Sequence, residues 1–138
     1  MTDLVFVDTN LVLYTLDEDA HKKAVARNLL AKRPLVSAQV INEAVNVCLR
    51  RFKFSREQAY NFADAVMRRT DVLAIDETTI RKSAEIALRY QLSNWDALIV
   101  AAALLANCDI LYSEDMQHRQ VIEGRLTILN PFANNTAP

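Results

Sequence analysis

The sequence predicts an α/β protein, a three-layer α/β/α sandwich with a central parallel sheet, and three observations carry that reading. Short, wholly apolar runs of strand type, such as Leu4-Val5-Phe6-Val7 and Ile110-Leu111-Tyr112, alternate with longer segments of helical period. The runs do not alternate apolar with polar residues, as expected of parallel strands covered on both faces and joined by crossover helices. The chain has 138 residues, 51% of them hydrophobic, with one glycine and three prolines, so it is long enough for one buried core and poor in loop formers.

Each element has its own signal. Leu4–Val7 is the first strand, and Asn10–Leu16 a short helical turn. Ala20–Lys32 is a helix stopped at Arg33-Pro34, because the residue before a proline is pushed out of the helical region. Leu35–Ser37 is a second strand. Gln39–Arg51 places Val40, Ile41, Ala44, Val45 and Cys48 at helical spacing. Ser55-Arg56-Glu57-Gln58 is a capping box that opens a helix to about Thr70. Val72–Ile75 reads as a third strand and Glu77–Tyr90 as a helix. Asn94–Ala106 is apolar on every side and therefore a buried helix. Strand Ile110–Ser113, a short helical stretch from Met116 and a last strand Leu126–Ile128 follow. Asn130–Pro138 is polar and expected to be loose, with residues 133–138 a flexible C-terminal tail beyond a domain of residues 1–132.

Composition excludes several classes. The net charge of −1 provides no global attraction for nucleic acid. Basic residues cluster locally at Arg50, Arg51, Lys53 and Arg56 and again at Arg68 and Arg69, either as solvated helix ends or as guides for phosphate. The longest uncharged apolar run, Ala97–Ala106, is ten residues, too short for a bilayer, and Asp3 and Asp8 interrupt any signal-peptide pattern. A cytoplasmic protein with no membrane partner is expected. Cys48 and Cys108 lack metal-ligand spacing and read as small buried hydrophobes; His21 and His118 are isolated and read as surface residues. A single glycine, Gly124, rules out the glycine-rich phosphate loops, and no nucleophile elbow is present.

The chemistry concentrates in carboxylates. Asp8 closes the first strand, Glu43 lies in the helix after the second, Asp96 sits in the first turn of the buried helix, and Asp115 follows the fourth strand. Helix 94–106 leads straight into strand 110–113, so it runs antiparallel to it and brings Asp96 to the carboxyl edge of the sheet. That edge is where open α/β sheets gather ligands. Each acid has an ordinary alternative. Asp8 in Asp8-Thr9-Asn10 suits a helix cap, and Asp96 completes the box Ser93-Asn94-Trp95-Asp96. Glu43 falls just beyond an apolar face, where a solvated glutamate is the default. Glu114 competes with Asp115, and spacing alone leaves both open. Four independent caps need not share one rim, however, and like charges gathered there call for a cation. Carboxylate oxygens suit Mg²⁺ or Mn²⁺.

Phe6-Val7-Asp8-Thr9-Asn10, Asn42-Glu43, Asn94-Trp95-Asp96-Ala97-Leu98-Ile99, Leu111-Tyr112-Ser113-Glu114-Asp115-Met116 and Ile128-Leu129-Asn130-Pro131-Phe132 together resemble the PIN-domain nucleases, and among them the VapC-type toxins of toxin–antitoxin pairs. The resemblance runs from Leu4 to Phe132. It implies a PIN fold, endonucleolytic cleavage of RNA phosphodiester bonds by a metal-activated water, Mg²⁺ with Mn²⁺ as substitute, a cognate antitoxin, and a homodimer. It assigns Asp8, Glu43, Asp96 and Asp115 as the catalytic, metal-holding quartet. Thr9, Asn10 and Ser113 fall at supporting or substrate-binding positions. Many relatives carry an aspartate two residues after the fourth acid, where this chain has Gln117. Three rival readings stand beside it: a PIN-fold module that binds RNA or protein without catalysis, a nuclease outside toxin systems, and a phosphatase with an aspartate nucleophile. The last lacks a second acid two residues after Asp8, where Asn10 stands.

Overall fold

Strand β1 (Val5–Val7) lies inside a six-stranded sheet in the computed structural model, which describes residues 3–133. Its Val-Phe-Val run is buried at Phe6 and Val7 because both faces are covered, which is why the sequence shows no alternation there. The strand order is β3-β2-β1-β4-β6-β5, with β2 (Leu35–Ser37), β3 (Asp71–Leu73), β4 (Ile110–Tyr112), β5 (Val121–Ile122) and β6 (Leu126–Leu129). All pairings are parallel except β5 with β6. The connecting helices are α1 (Thr9–Leu13, continued by a 3-10 turn Tyr14–Leu16), α2 (Ala20–Ala31), α3 (Ala38–Arg50), α4 (Arg56–Arg69), α5 (Glu77–Tyr90) and α6 (Asn94–Leu105). The expected three-layer α/β/α sandwich is the observed one.

Helix α6 is the buried element that its composition required, with Ala97 and Ile99 through Leu104 all inside. It packs along α5, whose Ile86 is fully covered, while α3 packs along α4 and α1. The Ser55–Gln58 capping box forms as expected: Ser55 Oγ accepts the Gln58 N–H at 3.1 Å and Gln58 Oε1 accepts the Ser55 N–H at 2.8 Å. Cys48 and Cys108 are free and fully buried. No helix among the described residues is long and apolar enough to cross a membrane.

Three expectations fail. The third strand begins at Asp71, not Val72, and ends before Ile75, because Leu35 of β2 sets the register against Asp71. A charge is tolerated there because β3 is an edge strand and Arg33 pairs with Asp71 at 3.0 Å. The helical stretch from Met116 is absent, and a hairpin of β5 and β6 takes its place. Glu123 (φ 53°) and Gly124 (φ 65°) both adopt the left-handed conformation of a tight hairpin turn, and the Arg125 N–H bonds the Ile122 carbonyl at 3.0 Å. A Cβ on Gly124 would meet nothing within 4 Å, so the glycine answers to its backbone angle and not to crowding. Finally, residues 130–133 are not loose. Phe132 packs edge-to-face on Tyr14 with ring centroids 5.5 Å apart, and the Asn130 N–H bonds His118 Nδ1 at 2.9 Å. His118 is thereby a partly buried tether for this turn and not a surface residue. Of the expected tail, residues 134–138 lie outside the described residues.

Leu111, fully buried in the central strand β4, sets a stability test. Leu111→Ala is expected to cost about 2–5 kcal/mol in urea unfolding. Leu88→Ala, at a site 84% exposed on α5, is expected to stay within about 0.5 kcal/mol of the parent. Equal effects would contradict this placement of the core.

Candidate active site

From β1 the chain runs to β2 and β3 on one side, then returns to β4 on the other side of β1. The carboxyl ends of β1 and β4 therefore flank a topological switch point, where departing connections diverge and leave a crevice. Asp8 and Ser113 continue these strands side by side: Val7 pairs with Tyr112, and the Asp8 N–H donates to the Tyr112 carbonyl at 3.0 Å.

Asp8 is only 7% exposed. Its Oδ1 accepts the Thr9 N–H at 2.7 Å and its Oδ2 accepts the Ser113 hydroxyl at 2.9 Å. A normal cap satisfies the second or third N–H of its helix, whereas Asp8 reaches only the first of α1. Burial raises its pKa to about 6, with the Glu43 and Asp96 charges adding to the rise and the two hydrogen bonds opposing it.

Glu43 is not the solvated glutamate its wheel position suggests. Ser37 caps α3 by accepting the Val40 N–H at 3.4 Å, which starts the helix so that its second turn faces the rim. There Glu43 Oε1 accepts the Thr9 hydroxyl and Oε2 accepts the Trp95 indole N–H. Asp96 occupies the first turn of α6, where Ser93 Oγ accepts its backbone N–H at 3.1 Å. Unlike the boxes at Ser55 and Asp76, this one is not closed by a bond from the first-turn side chain back to the cap backbone. Burial raises its pKa, the nearby Asp115 charge adds to this, and Ser93 offsets part of it.

Asp115 is exposed and accepts the Asn10 amide N–H on Oδ2, while the Tyr14 hydroxyl donates to Glu114. Asn10 and Tyr14, four residues apart, thus separate two adjacent acids that spacing left unresolved: Asp115 turns to Asp96, and Glu114 to the aromatic pair Tyr14–Phe132. Burial and then the Glu114 partner push the Tyr14 hydroxyl well above its ordinary range. Gln117 is exposed beyond them. Trp95 and Tyr14 escaped the sequence reading because neither indole nor phenol follows a period that marks a site.

Thr9, Asn10 and Ser113 hold Asp8, Glu43 and Asp115 along one rim, and Asp96 lies near enough for its charge to act on Asp8 and to feel that of Asp115. Among the described residues, no three His, Cys, Asp or Glu side chains are close enough together to hold an ion. An all-oxygen donor set with one deeply buried carboxylate nonetheless fits a hard divalent cation. Mg²⁺ keeps several waters and needs only one or two protein carboxylates, and the rim has no histidine or thiol for zinc. A cavity of about 470 Å³ between α2 and α4 is lined by Arg27, Leu30, Phe62, Val66 and Arg69 and contains none of the four acids.

The family model described as PIN domain matches residues 5–123, which include all four acids. Among solved structures, VapBC2 from Rickettsia felis, bound to a DNA fragment from its promoter, is 18% identical with a TM-score of 0.69, covering 92% of this chain and 99% of that one. A toxin–antitoxin complex from Klebsiella pneumoniae is 19% identical with a TM-score of 0.70, covering 93% and 98%. VapC20 of Mycobacterium tuberculosis, a sarcin-ricin loop cleaving toxin, is 19% identical with a TM-score of 0.62, covering 78% and 86%. No curated protein matches the chain significantly.

The raised pKa of Asp8 makes a signed prediction. The folded protein holds this proton more tightly than the unfolded chain, so ionising Asp8 destabilises the fold as pH climbs from about 4 to about 6, and the cost persists above that. In chelator-containing buffer, Asp8→Asn is expected to raise stability at pH 8 by up to about 3 kcal/mol, with the gain vanishing near pH 4. Urea midpoints of both proteins at the two pH values measure it; a variant no more stable at pH 8 would refute the buried-charge cost.

Proposed function

This chain belongs to the PIN domain family, and from that premise we propose that it is a metal-dependent endoribonuclease, the toxin of a toxin–antitoxin pair. The observation that carries the reading is Asp8: a carboxylate nine-tenths buried at the switch point, triangulated by Thr9 and Ser113, in the field of Glu43 and Asp96. A fold with no use for charge there is served better by a neutral side chain.

Asp8 and Asp96 would hold Mg²⁺, or Mn²⁺ in its place, with Glu43 and Asp115 completing the acidic rim. The ion supplies charge stabilisation at a phosphate oxygen and acidifies water enough for attack near neutral pH. The remaining work falls to the chain. Ser113 and the Thr9 N–H fix both oxygens of Asp8, so its orientation does not relax as charge develops. The Thr9 hydroxyl and the Trp95 indole hold Glu43, and Asn10 holds Asp115. The water oxygen would bond to phosphorus in line as the P–O bond to the ribose breaks, the attacking water losing a proton to solvent and the leaving oxygen taking one up, with no covalent intermediate on the protein.

The toxin assignment rests on the structural neighbours, which include VapBC2 from Rickettsia felis, a toxin–antitoxin complex from Klebsiella pneumoniae and a sarcin-ricin loop cleaving toxin. The cavity between α2 and α4 supports an antitoxin partner: its apolar floor of Leu30, Phe62 and Val66 suits the apolar face of an inserted helix, and Arg27 and Arg69 at its edge suit acidic residues. A homodimer acting in the cytoplasm completes the proposal. One observation favours a second reading, a PIN-fold module that binds RNA or protein without cutting: no three rim acids form a ready ligand group among the described residues.

Incubation with total RNA separates the two. The protein is expected to cleave in Mn²⁺ or Mg²⁺ and to stop on addition of EDTA; a binding module cleaves under neither condition. Asp8→Asn and Asp96→Asn are each expected to lower the rate at least about a hundredfold, and Ser113→Ala about ten- to a hundredfold, as loss of an orienting partner does. Full activity in both aspartate variants would remove these residues from the site.

A further inference from the structure

Beside the acidic rim lies a smaller cavity of about 250 Å³, lined by Asn42, Glu43, Asn46, Leu49, Tyr60 and Trp95. Two of its walls are aromatic and unusually bare: Tyr60 is 60% exposed and Trp95 48% exposed. Trp95 is also fixed in place. Its indole N–H is bonded to Glu43, and its backbone carbonyl accepts the Gln39 amide at 3.3 Å. A large ring tied at its edge with much of its surface left open is a preorganised stacking platform. Asn42 and Asn46, one turn apart on α3, are both exposed, and neither side chain makes a hydrogen bond among the described residues. Their amides offer donors and acceptors of the kind that read a base edge. Beyond them on the same helix comes Arg50, followed by Arg51, Lys53 and Arg56; all four are exposed and none forms an ion pair among the described residues. Glu43 and Arg50 are seven positions apart, so the acidic rim and the first of these cations lie about 10 Å apart along α3. The cavity falls between them.

We infer that this cavity is a nucleobase slot, in which a single unstacked base of a single-stranded RNA lies against Trp95 and Tyr60 with its edge toward Asn42 and Asn46. The arrangement orders the strand. The scissile phosphate sits at the acids, a neighbouring base in the slot, and the flanking backbone against the basic end of α3 and the start of α4. Glu43 belongs to both places, holding the indole with one oxygen and facing the rim with the other, so a seated base reports directly to the acidic rim. The volume is below that of pockets for drug-sized ligands, which suits one base and excludes a base pair. The inference rests on the ribonuclease reading for its substrate and is tested separately from it.

Trp95 is the only tryptophan, so its fluorescence reads this slot alone. The probe is an eight-nucleotide single-stranded RNA, compared with an abasic backbone of equal length and charge, titrated into the Asp8→Asn protein in Mg²⁺. The expected result is saturable quenching by the RNA, with the abasic strand binding about tenfold more weakly, the usual loss on removing one stacked base. Tyr60→Ala is expected to weaken RNA binding by a similar factor while leaving the abasic strand unaffected, and Asn46→Ala to alter the ranking among oligo-A, oligo-C and oligo-U. Equal binding of the RNA and abasic strands overturns the slot. So does a Trp95 emission that shifts with protein concentration alone, which assigns the face to a second copy of this chain. Quenching without Mn²⁺-dependent cleavage by the parent protein preserves the slot and defeats the nuclease reading; cleavage without quenching does the reverse.

Discussion

A carboxylate held out of water at the edge of a parallel sheet is the constraint around which the rest of this molecule is arranged. Asp8 follows β1 at the point where the strand order reverses, and almost all of its surface is covered. An ionised group in that position is costly unless hydrogen bonds and countercharge compensate it. Two hydrogen bonds are present, from the Thr9 N–H and the Ser113 hydroxyl, and they do not cancel the penalty: the pKa still stands near 6. The neighbouring acids, which in a purely structural arrangement would be cations, increase it further. Burial and neighbouring charge therefore outweigh the two hydrogen bonds, and stability at this corner is given up for a concentration of negative charge, the condition the proposed function uses.

The surroundings distribute the acids economically. One short helix, α1, and the 3-10 turn after it contribute Thr9, Asn10 and Tyr14, which take hold of Glu43, Asp115 and Glu114 respectively. Three acids from two remote parts of the chain are thus oriented from a single local element whose own position is fixed by β1. The β5–β6 hairpin extends the sheet on the far side of β4, and the Ser113 N–H bonds the Leu129 carbonyl at 3.0 Å, which keeps the end of β4 extended and the Ser113 hydroxyl directed to Asp8. The turn at residues 130–133 then returns Phe132 to Tyr14. The last described residues therefore buttress the side of the rim that carries Glu114.

Acidic rim, aromatic-lined cavity and basic helix end follow one another along α3. An acidic surface alone repels a phosphate backbone, and a basic surface alone binds it without choice. The two lie about 10 Å apart on the same helix, with ring faces and free amides between them, and under the proposed function this resolves the conflict: the cations would secure the strand at a distance and stacking would bring the phosphate to the acids. The net charge of −1 is consistent with this division, in which attraction would be local and not a property of the whole molecule.

The layer architecture, the buried α6, the Ser55 box and the nearness of the acids to one sheet edge were all legible in the chain, because each follows from local periodicity or from the direction in which a helix must run to reach the next strand. The hairpin at Glu123-Gly124 was not, since Glu-Gly is not among the common two-residue hairpin signatures. The choice between Asp115 and Glu114, the capture of Glu43 by Thr9 and Trp95, and the tethering of residues 130–133 by Tyr14 and His118 were equally invisible. These depend on which side chains meet across separations of 12 to 118 residues, and such meetings are decided by packing, for which a linear pattern carries no record. What the amino-acid order determined was where charges and apolar faces occur; tertiary structure alone decided which of them touch, because only the closed core converts remote positions into hydrogen-bond distances.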